Sequence, residues 1–266
     1  MKTPCFDNQV CQNLNRALKQ EWRETNAFGG YAASTIIGVN THRGHGLLVA
    51  QLKPPLGRFV LLSGLEEILY VDDAAYPLST QLYQSTAHPD GYKNLREFSL
   101  QPFPTWTFWI EDLILAKSVV FLHDEQTVIV RYQILTGDES FVRLELRPQV
   151  TCREQDSLTF HNERLNTKVE VRPNRIQLAG LYFYHDAPIL DQSGRWFRQV
   201  YYPADHERQL DFEEDLYSPF RLVYTFVKGK EVFFCASIEN RPAVDFRALV
   251  HKEETRRRNL IEAIPA

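Results

Sequence analysis

The sequence predicts a mostly β fold: a large antiparallel β-sandwich or a barrel, closed by a C-terminal helix. Three observations carry this. The dominant apolar period is two rather than 3.6, short strand-like runs recur about every 8–12 residues between Gly, Pro and polar turns, and no long helical segment separates consecutive strands. The last point argues against a doubly wound parallel sheet. The 266 residues are 44% hydrophobic and 24% charged, an ordinary globular composition rather than a disordered one. The 17 Phe, 12 Tyr and 4 Trp, against one Met, favour strands, and aromatics left exposed can stack on sugar rings.

Taken in order, Gln12–Trp22 reads as a short helix near the start. Gly46–Leu52 and Arg58–Leu65 are apolar runs bounded by Gly and Pro and read as buried strands. Leu113–Phe121 and Thr127–Leu135 flank His123-Asp124-Glu125-Gln126, a hairpin. Phe141–Leu146 alternates, so one of its faces is wet. Lys168–Val171, Ile176–Tyr184 and Arg195–Tyr202 continue the rhythm. Leu222–Val227 and Glu231–Ile238 read as a second hairpin across Lys228-Gly229-Lys230. Ala243–Ile264 is a helix between Pro242 and Pro265, apolar toward both ends and polar through Glu253–Asn259. This divides the chain into a sandwich domain, residues 1–242, and a helix, residues 243–266, that either packs on its own sheet or serves as a linker into another domain.

The charge is −4, from 30 basic and 34 acidic residues, with no long basic stripe, so nucleic acid is not an expected partner. Arg256-Arg257-Arg258 beside Glu253-Glu254 reads as a solvated helix face. Cys5, Cys11, Cys152 and Cys235 form no CxxC and read as free thiols. The start of the chain lacks the apolar stretch of a signal peptide, and no apolar run is long enough to span a membrane. A cytoplasmic protein is expected.

The chemistry-bearing segments are few. Thr25-Asn26-Ala27-Phe28-Gly29-Gly30-Tyr31 is neither a phosphate loop nor a dinucleotide fingerprint, and no cofactor is expected. Asn40-Thr41-His42-Arg43-Gly44-His45-Gly46 brings an amide, a guanidinium and two imidazoles to the mouth of a strand. The two histidines have no carboxylate beside them in sequence to complete a metal set, so no metal is expected. Glycoside hydrolysis needs two carboxylates facing one bond. Glu66-Glu67 and Asp72-Asp73 are neighbours that a strand points to opposite faces. Glu213 and Asp215 would share a face. No catalytic residue is assigned from these. Pro102–Trp109 carries four rings, with Trp106 and Phe108 on one face and Trp109 on the other.

Six segments together resemble one family, the N-terminal domain of bacterial and archaeal glycogen debranching enzymes of the amylo-α-1,6-glucosidase type. Glu21–Ala32 is similar to E-W-L-x-T-N-G-x-G-G-Y-A, and Asn40–Ala50 to N-T-R-R-Y-H-G-L-L-V-A. Pro54-Pro55-Leu56-Gly57-Arg58 matches P-P-x-G-R, and Phe98–Trp106 matches F-x-x-x-P-x-P-x-W. Leu144–Pro148 matches L-x-L-R-P, and Glu207–Leu216 matches E-R-G-L-D-x-x-E-D-L. The chain departs from these patterns at Ala27, His42, Gly44 and Gln209. The resemblance implies a sandwich followed by an (α/α)6 barrel that holds the hydrolytic carboxylates and would begin where this chain stops. The implied partners are that barrel, in cis or in trans, and α-glucan. The implied substrate or interdomain contacts are Asn26, Tyr31, Asn40, Arg43, His45, Trp106, Arg208, Asp211 and Asp215. Two other readings stand beside it. One is a free-standing carbohydrate- or protein-binding module. The other is a mutarotase-like enzyme pairing His45 with Asp215.

Overall fold

The computed structural model describes residues 5–52, 56–137, 141–165, 167–226 and 229–263. Pro54 and Pro55 of the proline motif, Val227 at the end of an expected strand, Lys228 of the expected second turn, and Ile264 and Pro265 at the expected helix end lie outside these residues.

Two large sheets face each other. The first runs, in spatial order, Cys5–Phe6, Leu95–Ser99, Thr105–Ile110, Leu113–Phe121, Thr127–Thr136, Glu231–Ser237, Leu181–His185, Arg175–Leu178 and Glu170–Arg172. The second runs Ile189–Asp191, Arg221–Phe226, Val142–Glu154, Arg58–Val71, Gly46–Gln51, Tyr31–Thr35 and Glu21–Thr25. Ala74–Pro77 adds to Arg58–Val71, and the pair Arg195–Tyr201 and Glu213–Ser218 adds to Val142–Glu154. Neighbours pair antiparallel, as in the Leu113–Phe121 and Thr127–Thr136 hairpin, where Val119 faces Val130.

The core fills the space between the sheets. Val119, Phe121, Val128 and Val130 point into it. Their neighbours Val120 and Ile129 point outward into a second cluster with Phe103, Leu122, Tyr184, Phe233 and Cys235. The C-terminal helix, Phe246–Glu262, seals that outer cluster with Val250, Phe246 and Leu249. Covering both faces is why these strands read as continuous apolar runs instead of alternating ones. All four cysteines are free.

Four local expectations are corrected. Gln12–Trp22 is not a helix. Asp7 and Asn13 cap two one-turn helices, Asn8–Cys11 and Leu14–Ala17, and Trp22 lies in the strand Glu21–Thr25; a side-chain cap at Asn13 ends one helix and starts the next. Ile176–Tyr184 is two strands. Ala179 (φ 47°) and Gly180 (φ 84°) both take left-handed backbone and turn the chain, so that Leu178 faces Leu181. Arg221–Phe226 and Glu231–Ser237 are not hairpin partners, because they lie in opposite sheets. Leu222, Tyr224, Phe226, Val232, Phe234 and Ala236 all enter the one core, so the two strands meet by side chains across the sandwich. The Tyr224 hydroxyl donates to the Phe233 carbonyl at 3.0 Å. Lastly, the helix begins at Phe246 under an Asp245 cap, and its middle is only partly wet. Glu253 is buried, while Leu260 and Ile261 are exposed.

Candidate functional site

Most of the motif residues lie in loops at strand ends of the second sheet; Trp106 lies in a strand of the first. Asn26 closes its own loop. Its Oδ1 accepts from Phe28 N (3.0 Å) and Gly30 N (2.9 Å), and its Nδ2 donates to Glu125 O (2.8 Å) and Gln126 Oε1 (3.2 Å). Gly30 is required for close approach: a Cβ there would lie 2.1 Å from Gln126 Oε1 and 3.0 Å from Val49 O. Gly30→Ala is therefore expected to lower the unfolding free energy by about 1–3 kcal/mol, as overpacking does, measured by urea titration. A loss within about 0.5 kcal/mol, the range of neutral surface changes, would show that the loop yields freely.

Tyr31 is buried and donates to Gly44 O at 2.6 Å, with Arg23 over its ring. Asn40 accepts from Ser34 Oγ (2.9 Å) and donates to Ser63 O (3.0 Å). Arg43 gathers three segments. Its backbone N and Nε donate to Asp205 Oδ2 (2.7 and 3.2 Å), its Nη1 to Asp156 O (2.9 Å) and its Nη2 to Asp211 O (2.5 Å). Asp215 accepts backbone N–H groups from His161 and Gln199, both at 2.8 Å. Trp106 is 3% exposed and donates to Ile36 O at 2.7 Å, with its ring against Trp22 and Phe98. It lies in the core and presents no free face for a sugar. Trp109, on the other side of the strand, is 51% exposed under Arg96. Arg208 and Asp211 are exposed, and among the described residues Asp211 joins this network through its carbonyl.

At the centre is a pair that sequence reasoning missed. Arg153 and Glu214 are both buried and form a bidentate bridge, with Nη2 to Oε2 at 2.9 Å. Tyr202 Oη (2.6 Å) and Thr159 N (2.9 Å) also donate to Glu214, and Arg153 Nη2 reaches Arg43 O at 2.8 Å. Burial first, and the Glu214 charge second, hold the Tyr202 hydroxyl well above its ordinary range. The available signal was the alternation in Glu213-Glu214-Asp215: if two of these acids face out, the third faces in. Nothing local pointed to Arg153, which is distant in sequence.

His45 does not pair with Asp215. It is 1% exposed, and its Nε2 lies 3.5 Å from Glu21 Oε1. The ring of His42 stands 3.7 Å away, centroid to centroid. The carboxylate missing near these histidines in sequence is thus supplied by Glu21, and the three ligand atoms lie within 4.8 Å of one another. The hydrogen bonds nevertheless oppose a metal. Thr41 N donates to His45 Nδ1 and Gly44 N to His42 Nδ1, each at 3.1 Å. A neutral imidazole that accepts at Nδ1 carries its proton on Nε2 and has no lone pair there for a cation.

The hydrogen bond from His45 lowers the Glu21 carboxyl to about 2, and burial, the largest cause, lowers His42 to about 4. Each therefore releases protons more readily folded than unfolded. The His42 contribution is present above its ordinary 6.5 and is lost as pH falls toward 4. The Glu21 contribution is present above 4.5 and is lost as pH falls toward 2. His42→Asn keeps an acceptor for Gly44 N, so it is expected to flatten unfolding free energy against pH between 6.5 and 4. The slope below 4.5 should remain. An unchanged upper slope would show that His42 does not titrate this way.

The adjacent acids Glu66 and Glu67 do not converge. Glu67 points inward to Lys117 Nζ (2.7 Å) and Tyr132, while Glu66 points outward toward Arg195 (3.5 Å) and Arg147 (3.9 Å). This matches the opposite-face expectation. No helix among the described residues is long and apolar enough to cross a membrane.

No curated protein matches the chain. Among solved structures it is similar to a bacterial glucoamylase complexed with acarbose, with TM-score 0.43 and 9% identity over 94% of this chain and 36% of that one. It is also similar to a heparan sulfate lyase HepC mutant from Pedobacter heparinus, with TM-score 0.30 and 15% identity over 67% and 26%. The chain thus spans about a third or less of either protein, and the family assignment does not rest on them. The profile of the family described as glycogen debranching enzyme N terminal matches residues 20–233, most of the chain and all the loops just described. The chain belongs to the glycogen debranching enzyme N-terminal family.

Proposed function

We propose that this chain is the non-catalytic N-terminal sandwich of a cytoplasmic glycogen debranching enzyme and that it braces an (α/α)6 catalytic barrel. The boundary between sandwich and barrel would follow the helix Phe246–Glu262. Hydrolysis of α-1,6 branches needs two carboxylates across one glycosidic bond, and in this reading the barrel supplies both. The observation that carries the scaffold role is how the motif side chains are used. Asn26, Tyr31, Asn40, Arg43 and Asp215 fasten one loop to another. A polar group whose hydrogen bonds are already satisfied within the protein has little left to offer a sugar hydroxyl.

The test is to mix the purified chain with a separately expressed barrel domain of a debranching enzyme. Association, with faster release of branch glucose, is the expected result. No association and no effect on debranching would overturn the bracing role. Calorimetric titration of branched glucan into the chain alone is expected to give no heat at millimolar ligand. A clear isotherm would favour the carbohydrate-binding module instead.

A further inference from the structure

One charged residue interrupts an apolar face of the first sheet. In the strand Leu113–Phe121, Leu113, Leu115, Val119 and Phe121 enter the core, and a period of two sets Lys117 among them. Lys117 is 8% exposed, and its neighbours across the sheet are Trp106 on one side and Tyr132 on the other. The second sheet answers with Glu67, buried in line with Leu65, Leu69 and Val71 of the strand Arg58–Val71. Lys117 Nζ donates to Glu67 Oε2 at 2.7 Å, and the Tyr132 hydroxyl donates to Glu67 Oε1. An ion pair therefore crosses the sandwich core from one sheet to the other.

The ammonium group has donors to spare. It carries three. Among the described residues it makes one hydrogen bond, to Glu67, and it lies 5.1 Å from the centre of the Trp106 ring. A buried donor without an acceptor is costly. Lys117, Glu67 and Trp106 all line one cavity, and the same cavity is lined by Ser34, Asn40 and Ser63. Ser34 Oγ donates to Asn40 Oδ1 at 2.9 Å, and Asn40 Nδ2 donates to Ser63 O at 3.0 Å. An amide oxygen and a carbonyl oxygen each have two lone pairs, so both can accept a further bond. The cavity measures about 30 Å³, taken as the room open to the centre of a water molecule. At about 10–15 Å³ per molecule, that is space for about two waters.

We propose that this cavity is a structural water site, in which about two waters carry hydrogen bonds from Lys117 Nζ to Asn40 and Ser63. The lining selects the ligand. It must accept from an ammonium group and donate to an amide and a carbonyl oxygen. An anion would face Glu67, a cation would face Lys117, and an apolar molecule would leave these groups unpaired. Water does both and fits. The site extends hydrogen bonding from Tyr132 in the first sheet to Asn40 in the motif loop, so that loop is tied to the core ion pair through solvent. The inference stands independently of the bracing role.

A crystal structure of the purified chain, at a resolution that shows bound solvent, is expected to contain ordered waters in this cavity. One should lie within hydrogen-bond distance of Lys117 Nζ and one on Asn40 Oδ1 or the Ser63 carbonyl. A cavity without ordered solvent, or one holding an ion recognised by its coordination distances, overturns the proposal. Lys117→Met with Glu67→Gln deletes the ammonium without leaving an unpaired charge, and the new amide oxygen still accepts from Tyr132. In this variant the water on Nζ should be lost and the one on Asn40 kept. Oxygen-17 relaxation dispersion, which counts long-lived internal waters in solution, should then fall by about one. An unchanged count with unchanged density in the cavity would show that the ammonium holds no water there, and would also overturn the proposal. If the variant does not fold, the structure of the original chain decides alone.

Discussion

Replacing Arg153 with methionine is expected to lower the unfolding free energy by about 3–5 kcal/mol, the usual consequence of breaking a buried ion pair from one side. The guanidinium is 5% exposed and its partner Glu214 is fully buried. Glu214 would keep Tyr202 Oη and Thr159 N as donors but would hold a charge with no counter-charge in a dry site. Against a total of about 5–15 kcal/mol for a typical domain, that loss is large. The loops would also suffer, since Arg153 Nη2 holds the Arg43 carbonyl, and Arg43 in turn holds Asp205. Urea unfolding measures the loss. A double variant, Arg153→Met with Glu214→Leu, is expected to recover much of it, because both the charge and its desolvation penalty are gone. A single-variant loss below about 1 kcal/mol, the scale of an exposed pair, would mean the bridge is wet in solution.

Trp106→Ala is expected to lower stability by about 3–5 kcal/mol, the range for deleting a large buried aromatic. It removes the ring packed edge-on to Trp22 at 5.5 Å and to Phe98 at 5.0 Å, and the bond to Ile36 O. It also leaves Lys117, which lies 5.1 Å over that ring, beside a void. The measurement separates two roles for this residue. A core tryptophan costs stability and leaves affinity for any glucan or barrel unchanged at temperatures where the variant is folded. A ring that contacts sugar or barrel would cost affinity and little stability, and that result would overturn its placement here.

The reading of Trp106 shows what a local pattern can and cannot say. Alternation placed Trp106 and Phe108 on one face and Trp109 on the other, and the structure has them so. Which face looks inward depends on what covers each side. The same holds for Glu213-Glu214-Asp215. Two acids share a face as expected, but the middle one is the structural centre because Arg153 arrives from another strand. His45 was legible as a residue in a polar loop. Its partner Glu21 opens the first motif, yet nothing along the chain indicates that its strand brings it to the histidine.

The strand between Glu231 and Ser237 was also legible, since β-branched and aromatic residues mark a pleated, half-buried surface wherever it is placed. Its pairing was not. A glycine turn signals reversal of direction but leaves open whether the chain hydrogen-bonds to the strand just left or crosses to the facing sheet. Composition, period and turn residues are short-range properties, and they suffice for a mostly β fold with a terminal helix, while the family is legible only through the resemblance of six ordered motifs. Sheet membership, the inward face of each strand, the Arg153–Glu214 bridge and the uncovered end of the helix are decided by residues far apart in sequence. Those contacts exist only once the two sheets have closed on their core.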